Sequence, residues 1–296
     1  MQQAFPESEQ KMNVLICLSA SPSNQKVIRS AARFTRGSDA VLMALFVDNG
    51  KRTQHDPYLR KNMEMAASLG AAIEVVTQAD VLGAIVDYAA EHAGAVAAIG
   101  YYPGDCAPYR EEDLQQFALW AKEPVVRAIG EIGLDYHWED NPPREWQQKV
   151  CADQIELAWE LGLPCAFHVR EAHPDMLEIL KAHRAHLTGG IMHCFSGSWE
   201  IAEEYLRLGY HISFAGPVTF RNARKLQEVA VRCPRERILI ETDSPYMAPE
   251  PVRGTRNEPT NVRYICARIA ELRSEPPEDT AAYTFANACR VYGIEP

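Results

Sequence analysis

Four apolar runs in this 296-residue chain lead straight into ionisable residues that packing alone would not select. Val125–Gly130 runs into Glu131, Leu163–Phe167 into His168, Gly189–Met192 into His193, and Ile238–Ile240 into Glu241, Thr242 and Asp243. In parallel α/β folds the carboxyl ends of the strands open on one face, so residues far apart in sequence meet there. Two imidazoles and two or three carboxylates on that face are a donor set for Zn²⁺, Mg²⁺ or Mn²⁺. A divalent ion lowers the pKa of bound water, and a carboxylate beside it can take or relay the proton.

The elements that must position these residues follow from the hydrophobic pattern. Nine short apolar runs read as strands: 14–18, 41–47, 73–76, 95–100, 125–130, 163–167, 190–194, 210–215 and 237–241. Amphipathic stretches over 24–36, 58–69, 80–92, 111–121, 144–161, 173–183, 198–208 and 221–231 read as helices between them. Short apolar runs alternating with helical stretches predict βα units around a parallel sheet. The other histidines, at 55, 92, 137, 173, 183, 186 and 211, fall in loops, on a surface helix or at a strand start, where structural or solvated roles are expected. His137 is close enough to the Glu131 strand to line a substrate groove.

The formal net charge is −10, of which residues 1–95 carry −1 (9 Lys/Arg, 10 Asp/Glu) and residues 96–296 carry −9 (21 and 30). An acidic body does not draw in nucleic acid by its overall field, so any such contact must come from local arginines or bound cations. The eight cysteines form no CxxC pair and sit largely in apolar runs, as reduced, buried residues would. The longest purely apolar run, Val41–Val47, is far short of the roughly 20 residues of a membrane span, and the first residues lack the pattern of a signal peptide. A soluble cytoplasmic protein without a membrane partner is expected.

The strings GEIGLDYHW (130–138), FHVREA (167–172), MHCFSGS (192–198) and ETDSPYMAPEPVRGTRNEPTNV (241–262) resemble the TatD family of metal-dependent deoxyribonucleases, amidohydrolase-superfamily members with a TIM-barrel fold. The resemblance covers about residues 96–296. It implies Glu131 as a carboxylate shared between metals, His168 and His193 as ligands, and Asp243 as ligand or general base. Arg170, Ser196, Arg253 and Arg256 are implied as contacts to substrate phosphate. Hydrolysis of DNA or another phosphodiester is the implied activity. The family's first strand carries a His-x-His pair, whereas this sequence has no two histidines one residue apart and reads Val14-Leu15-Ile16-Cys17-Leu18 there. One ion rather than two is therefore expected.

Residues 12–94 are similar to the universal-stress-protein-like domain of KdpD sensor kinases, a doubly wound parallel α/β fold. Ser19-Ala20-Ser21 matches a nucleotide-binding element of that family, but the companion element, Leu42–Phe46, lacks its aromatic start, its Thr and its Tyr. The expected organisation is an α/β segment over 1–95, then a TatD-like barrel over 96–296 that lacks its usual first βα units. Whether the front segment stands apart or lends units to the barrel is left open by the sequence. The alternative to a metal-dependent hydrolase is a catalytically inactive regulatory or nucleotide-binding protein.

Overall fold

All nine apolar runs become strands in the computed structural model, which describes residues 12–17, 25, 28–29, 32, 40–48, 57–77, 96–244 and 246–294. They are β1 (Met12–Cys17), β2 (Ala40–Asp48), β3 (Ala72–Thr77), β4 (Ala97–Ile99), β5 (Val126–Asp135), β6 (Cys165–Arg170), β7 (Gly190–Met192), β8 (Tyr210–Phe214) and β9 (Ile238–Ile240). The chain divides into two compact units between Ala95 and Val96. In the first, β1, β2 and β3 pair in that order, all parallel, with α1 (Pro57–Ser68) between β2 and β3. Its apolar centre gathers Ile28, Ala32, Leu42, Ala44, Phe46, Leu59 and Ala66. The helices expected over 24–36 and 80–92 lie largely or wholly outside the described residues, as does the Ser19-Ala20-Ser21 turn.

In the second unit β4 to β9 pair in strict sequence order, and every ladder is parallel. Parallel neighbours cannot be joined by a tight turn, so each step carries a crossover. The crossover helices are α2 (Asp113–Trp120), α3 (Arg144–Leu161), α4 (His173–Ala182), α5 (Trp199–Arg207) and α6 (Arg224–Arg232). With helices packed on the sheet, its strands are buried along most of their length: Ile129, Ile132, Leu134, Phe167, Ile212, Phe214 and Ile238 are fully buried. Among the described residues no helix is long and apolar enough to cross a membrane.

Two helices outside the expected set follow β9: α7 (Val262–Arg273), whose buried face of Ile265, Cys266, Ile269 and Ala270 has helical spacing, and α8 (Pro277–Tyr292). The buried face of α8 is mostly polar, with Thr280, Thr284 and Asn287 inside, so hydrophobic periodicity is blind to it. Asn287 repays its burial by donating to the carbonyls of Arg235 and Ile238, which clamps α8 to the start of β9.

The strand ends also differ from expectation. Glu131 and His168 do not terminate their strands; β5 continues to Asp135 and β6 to Arg170. The β5–β6 register passes from Gly130↔Ala166 to Ile132↔Phe167, leaving Glu131 as an extra residue in a β-bulge. A bulge re-aims the side chain it carries, and here it sets Glu131 out of the pleat between two buried neighbours. Beyond the bulge β5 passes β6 closely at Gly133, whose φ is 135°, and a Cβ there would overlap the carbonyl oxygen of His168. Gly133→Ala is therefore expected to cost on the order of 2 kcal/mol or more. Gly162, the C-cap of α3 at φ 66°, has open space around it, so Gly162→Ala should cost only about 1 kcal/mol. Denaturant midpoints for the two variants check this, and equal losses would show that the β5–β6 approach is not constrained.

Candidate metal centre

The bulge, the middle of β6 and the residue after β7 deliver three donors to one point. One atom each from Glu131, His168 and His193 can be chosen so that all lie within 4.8 Å of one another. Glu131 Oε2 is 3.9 Å from His168 Nδ1, and Glu131 Oε1 is 3.4 Å from His193 Nε2. Asp243, on the loop after β9, joins them with Oδ1 3.6 Å from His193 Nε2. Four residues expected to converge are thus brought together from within β5 and β6 and from the segments just after β7 and β9.

Each imidazole turns its other nitrogen to a carboxylate, and these two carboxylates are residues whose positioning role the sequence did not reveal. His168 Nε2 lies 3.1 Å from Asp135 Oδ2, and His193 Nδ1 lies 2.9 Å from Glu241 Oε2. A carboxylate behind an imidazole holds the proton on that side and leaves the opposite nitrogen's lone pair free for an ion. The supports are themselves supported. Asp135 is fully buried and accepts from the Tyr102 hydroxyl at 3.2 Å and the His137 amide at 2.9 Å, while Gln147 bonds both its backbone N–H and its carbonyl. Glu241 accepts from the Ser213 hydroxyl at 2.8 Å and the Cys194 amide at 2.6 Å. Asn257, also buried, donates to the carbonyls of Thr242 and Tyr246 and so staples the loop that carries Asp243.

Backbone conformation marks the same rim. Glu171, Cys194, Asp243 and Met247 adopt positive φ without being glycine. Such residues cost of order 1–3 kcal/mol each and persist only where the surroundings over-determine them. Gly216 lets the Asp243 loop descend, because a Cβ there would collide with the Met247 carbonyl.

The electrostatics of the cluster favour positive charge. Burial acts to lower the pKa of His193, but hydrogen bonding to Asp243 and Glu241 and the charges of Glu241 and Glu131 outweigh it, and the group is pushed up to about 11. For His168 burial wins over Asp135 and Glu131, and its pKa falls. Burial, reinforced by Asp135 and Glu131, raises Tyr102, whereas Arg170 offsets part of the rise. Arg170 acts in the same sense on the half-buried Cys194.

The expected phosphate contacts are less uniform. Arg170 ends β6, half-buried, two residues past His168. Ser196 is exposed three residues past His193. Arg253 lies 4.0 Å over the Phe220 ring and 3.8 Å from Glu250, and Arg256 has its Nε buried. His137 is exposed and pairs with Glu171 at 2.7 Å. His173, read on a surface helix with a structural or solvated role, is structural: it packs between Phe195 and Tyr205, where burial lowers its pKa to about 4. His183 and His186 both face Glu156, and His211 lines a separate 410 Å³ cavity with Gly190 and Gly209, at the opposite ends of β7 and β8.

The sequence model of the TatD related DNase family matches residues 47–293, so the match begins well ahead of the four strings that carry the resemblance. The uncharacterized metal-dependent hydrolase YabD of Bacillus subtilis is 47% identical over 198 residues, which is 67% of this chain and 77% of that protein. A 3'-5' ssDNA/RNA exonuclease TatD of Citrobacter koseri is 36% identical over 200 residues, 66% of this chain and 76% of that protein. Among solved structures, the TatD homologue YjjV of Escherichia coli K12 superposes with a TM-score of 0.68 at 24% identity, covering 96% of this chain and 98% of that one, a likeness of fold.

Two outcomes follow from the donor geometry. Asp135→Asn, which keeps the shape but loses the charge behind His168, is expected to weaken Mn²⁺ or Zn²⁺ binding about 10–100-fold by calorimetry. The raised pKa of His193 means that its proton stabilises the metal-free fold fully below pH 6.5, and this contribution is lost as pH rises through about 11. An ion must displace that proton, so binding at pH 8 should release about one proton, read from the dependence of the binding enthalpy on buffer ionisation. No release would place the proton elsewhere.

Proposed function

We propose, from the premise that this chain belongs to the TatD related DNase family, that it is a metal-dependent hydrolase of phosphodiester bonds in DNA or RNA. The observation that carries the reading is the convergence of Glu131, His168 and His193, with Asp243 beside them, at one mouth of the sheet. Two nitrogens and a carboxylate oxygen from three different strands suit a Zn²⁺ or Mn²⁺ ion and leave coordination positions for water and substrate. The name of the Citrobacter koseri relative supports a nucleic-acid substrate.

When bound, the ion supplies Lewis acidity toward water and the phosphoryl oxygens. The chain's own residues do the rest. Glu131, His168 and His193 hold the site, and Asp135 and Glu241 fix the two ring orientations. Asp243 accepts the proton of the attacking water. Arg170 offers a fork of donors to a phosphate oxygen and offsets charge as the bond breaks. Ser196, Arg253 and Arg256 contact the substrate further along the rim. With no His-x-His pair in the sequence, a single ion is the proposed stoichiometry. A catalytically inactive scaffold would have no energetic reason to keep three carboxylates crowded around one imidazole.

For residues 1–95 the proposal is an α/β segment of the universal-stress-protein type, supported by the parallel order β1, β2, β3. Successive barrel units share that order, so the topology suits both architectures.

The test is hydrolysis of a single-stranded oligonucleotide by the full chain with Mn²⁺ or Zn²⁺, with calorimetry alongside. Wild type should bind one ion and lose activity in a chelator. His193→Ala should lose the ion and the activity together. Asp243→Asn should bind the ion but turn over about 10²–10⁴-fold more slowly, the range for losing a general base. Two tight ions per chain would refute the single site, and unchanged turnover in Asp243→Asn would remove it as the base.

A further inference from the structure

Trp138 is 54% exposed, although an indole is among the side chains that gain most from burial. It is nevertheless held in place. The His137 ring meets it edge-on at 4.7 Å and 82°, and His137 is fixed by Glu171 at 2.7 Å and by the hydrogen bond its backbone N–H donates to the Asp135 carboxylate. The Arg170 guanidinium carbon stands 5.2 Å from the indole centroid. Trp138 lies three residues past Asp135, and Arg170 shares a face of β6 with His168 by strand alternation. Arg170, two residues past His168 on β6 and in contact with the indole, thus links the two.

We infer that Trp138, with Arg170 over its ring, is a stacking platform for a nucleobase of a single-stranded nucleic acid whose phosphate is held at the metal centre. The inference rests on the proposed phosphodiester reading and adds to it the path of the substrate. An open aromatic surface beside a guanidinium recognises a planar π-system next to a negative charge, which is the repeating unit of a nucleic acid. A base in a duplex already has its faces stacked, whereas an unpaired base offers them. Stacking is also tolerant of base identity, since every base has a π-face. In a body of net charge −10 such short-range contact does what the long-range field cannot.

The test is fluorescence anisotropy of the Mn²⁺-loaded full chain with a labelled single-stranded oligothymidylate bearing phosphorothioate linkages, intact or with abasic terminal nucleotides. Trp138→Ala should weaken binding of the intact probe about tenfold, Trp138→Phe far less, and neither should further weaken the abasic probe. In cleavage assays Trp138→Ala should raise KM and leave kcat. If wild type binds and cleaves the oligonucleotide while Trp138→Ala binds it within about twofold, the platform is overturned and the hydrolase reading stands. Equal weakening on both probes would make Trp138 a support of its loop and also overturn it. A wild type that neither binds nor cleaves overturns both.

Discussion

The crowding of carboxylates around His193 is the constraint on which the rest of the structure turns. Glu131 and Asp243 lie 3.4 and 3.6 Å from Nε2, and Glu241 lies 2.9 Å from Nδ1. Three anions around one partly buried ring cannot be left uncompensated at reduced dielectric. A proton on the imidazole is one answer, and it explains why the ring binds its proton so tightly despite burial. A divalent ion is a stronger answer, since it brings two charges and can share them among Glu131, Asp243 and His168. The fold is built to preserve this demand rather than relieve it.

The supporting groups show how. Glu241 is held by a hydroxyl and an amide, and Asp135 by a phenol, an amide and the imidazole it orients. Among the described residues, Glu131, Asp135, Glu241 and Asp243 form their ion pairs with His168 and His193. Neutral donors position a carboxylate without cancelling its charge, whereas a guanidinium would satisfy it and compete with an ion. Arg170 ends β6 beside the Trp138 ring, outside the set of ligands. The β5 bulge and the positive-φ residues after β6, β7 and β9 spend conformational strain on the same end, aiming side chains that regular strands would turn elsewhere.

Much of this was legible in the sequence, for a physical reason. Strand existence is encoded in apolar runs, and an ionisable residue against such a run stands out, so β1 to β9 and Glu131, His168, His193 and Asp243 could be read directly. Features that depend on pairing were not legible. Nothing in the string Gly130-Glu131-Ile132 announces a bulge, which exists only against β6, and without it the strand was expected to stop at Glu131. Asp135 and Glu241 were visible as residues but not as supports, because their role lies in which imidazole nitrogen they meet. Helix α8 escaped because its inner face is built from Thr280, Thr284 and Asn287.

The charge distribution closes the argument about how such a chain could meet a polyanion. With −9 of its −10 charges in residues 96–296, the unit that carries the site repels nucleic acid at a distance. That repulsion is screened beyond about 8–10 Å at ordinary ionic strength, so what decides binding is what happens at contact. At contact the rim offers what the surface as a whole does not: a donor set suited to a cation, an arginine two residues past one of its ligands, and an indole beneath the arginine. For the proposed nucleic-acid substrate, attraction confined to one mouth would favour an end or an unpaired stretch of a strand over the broad, evenly charged side of a duplex, because only the former can bring a phosphate and a bare base to the same small place.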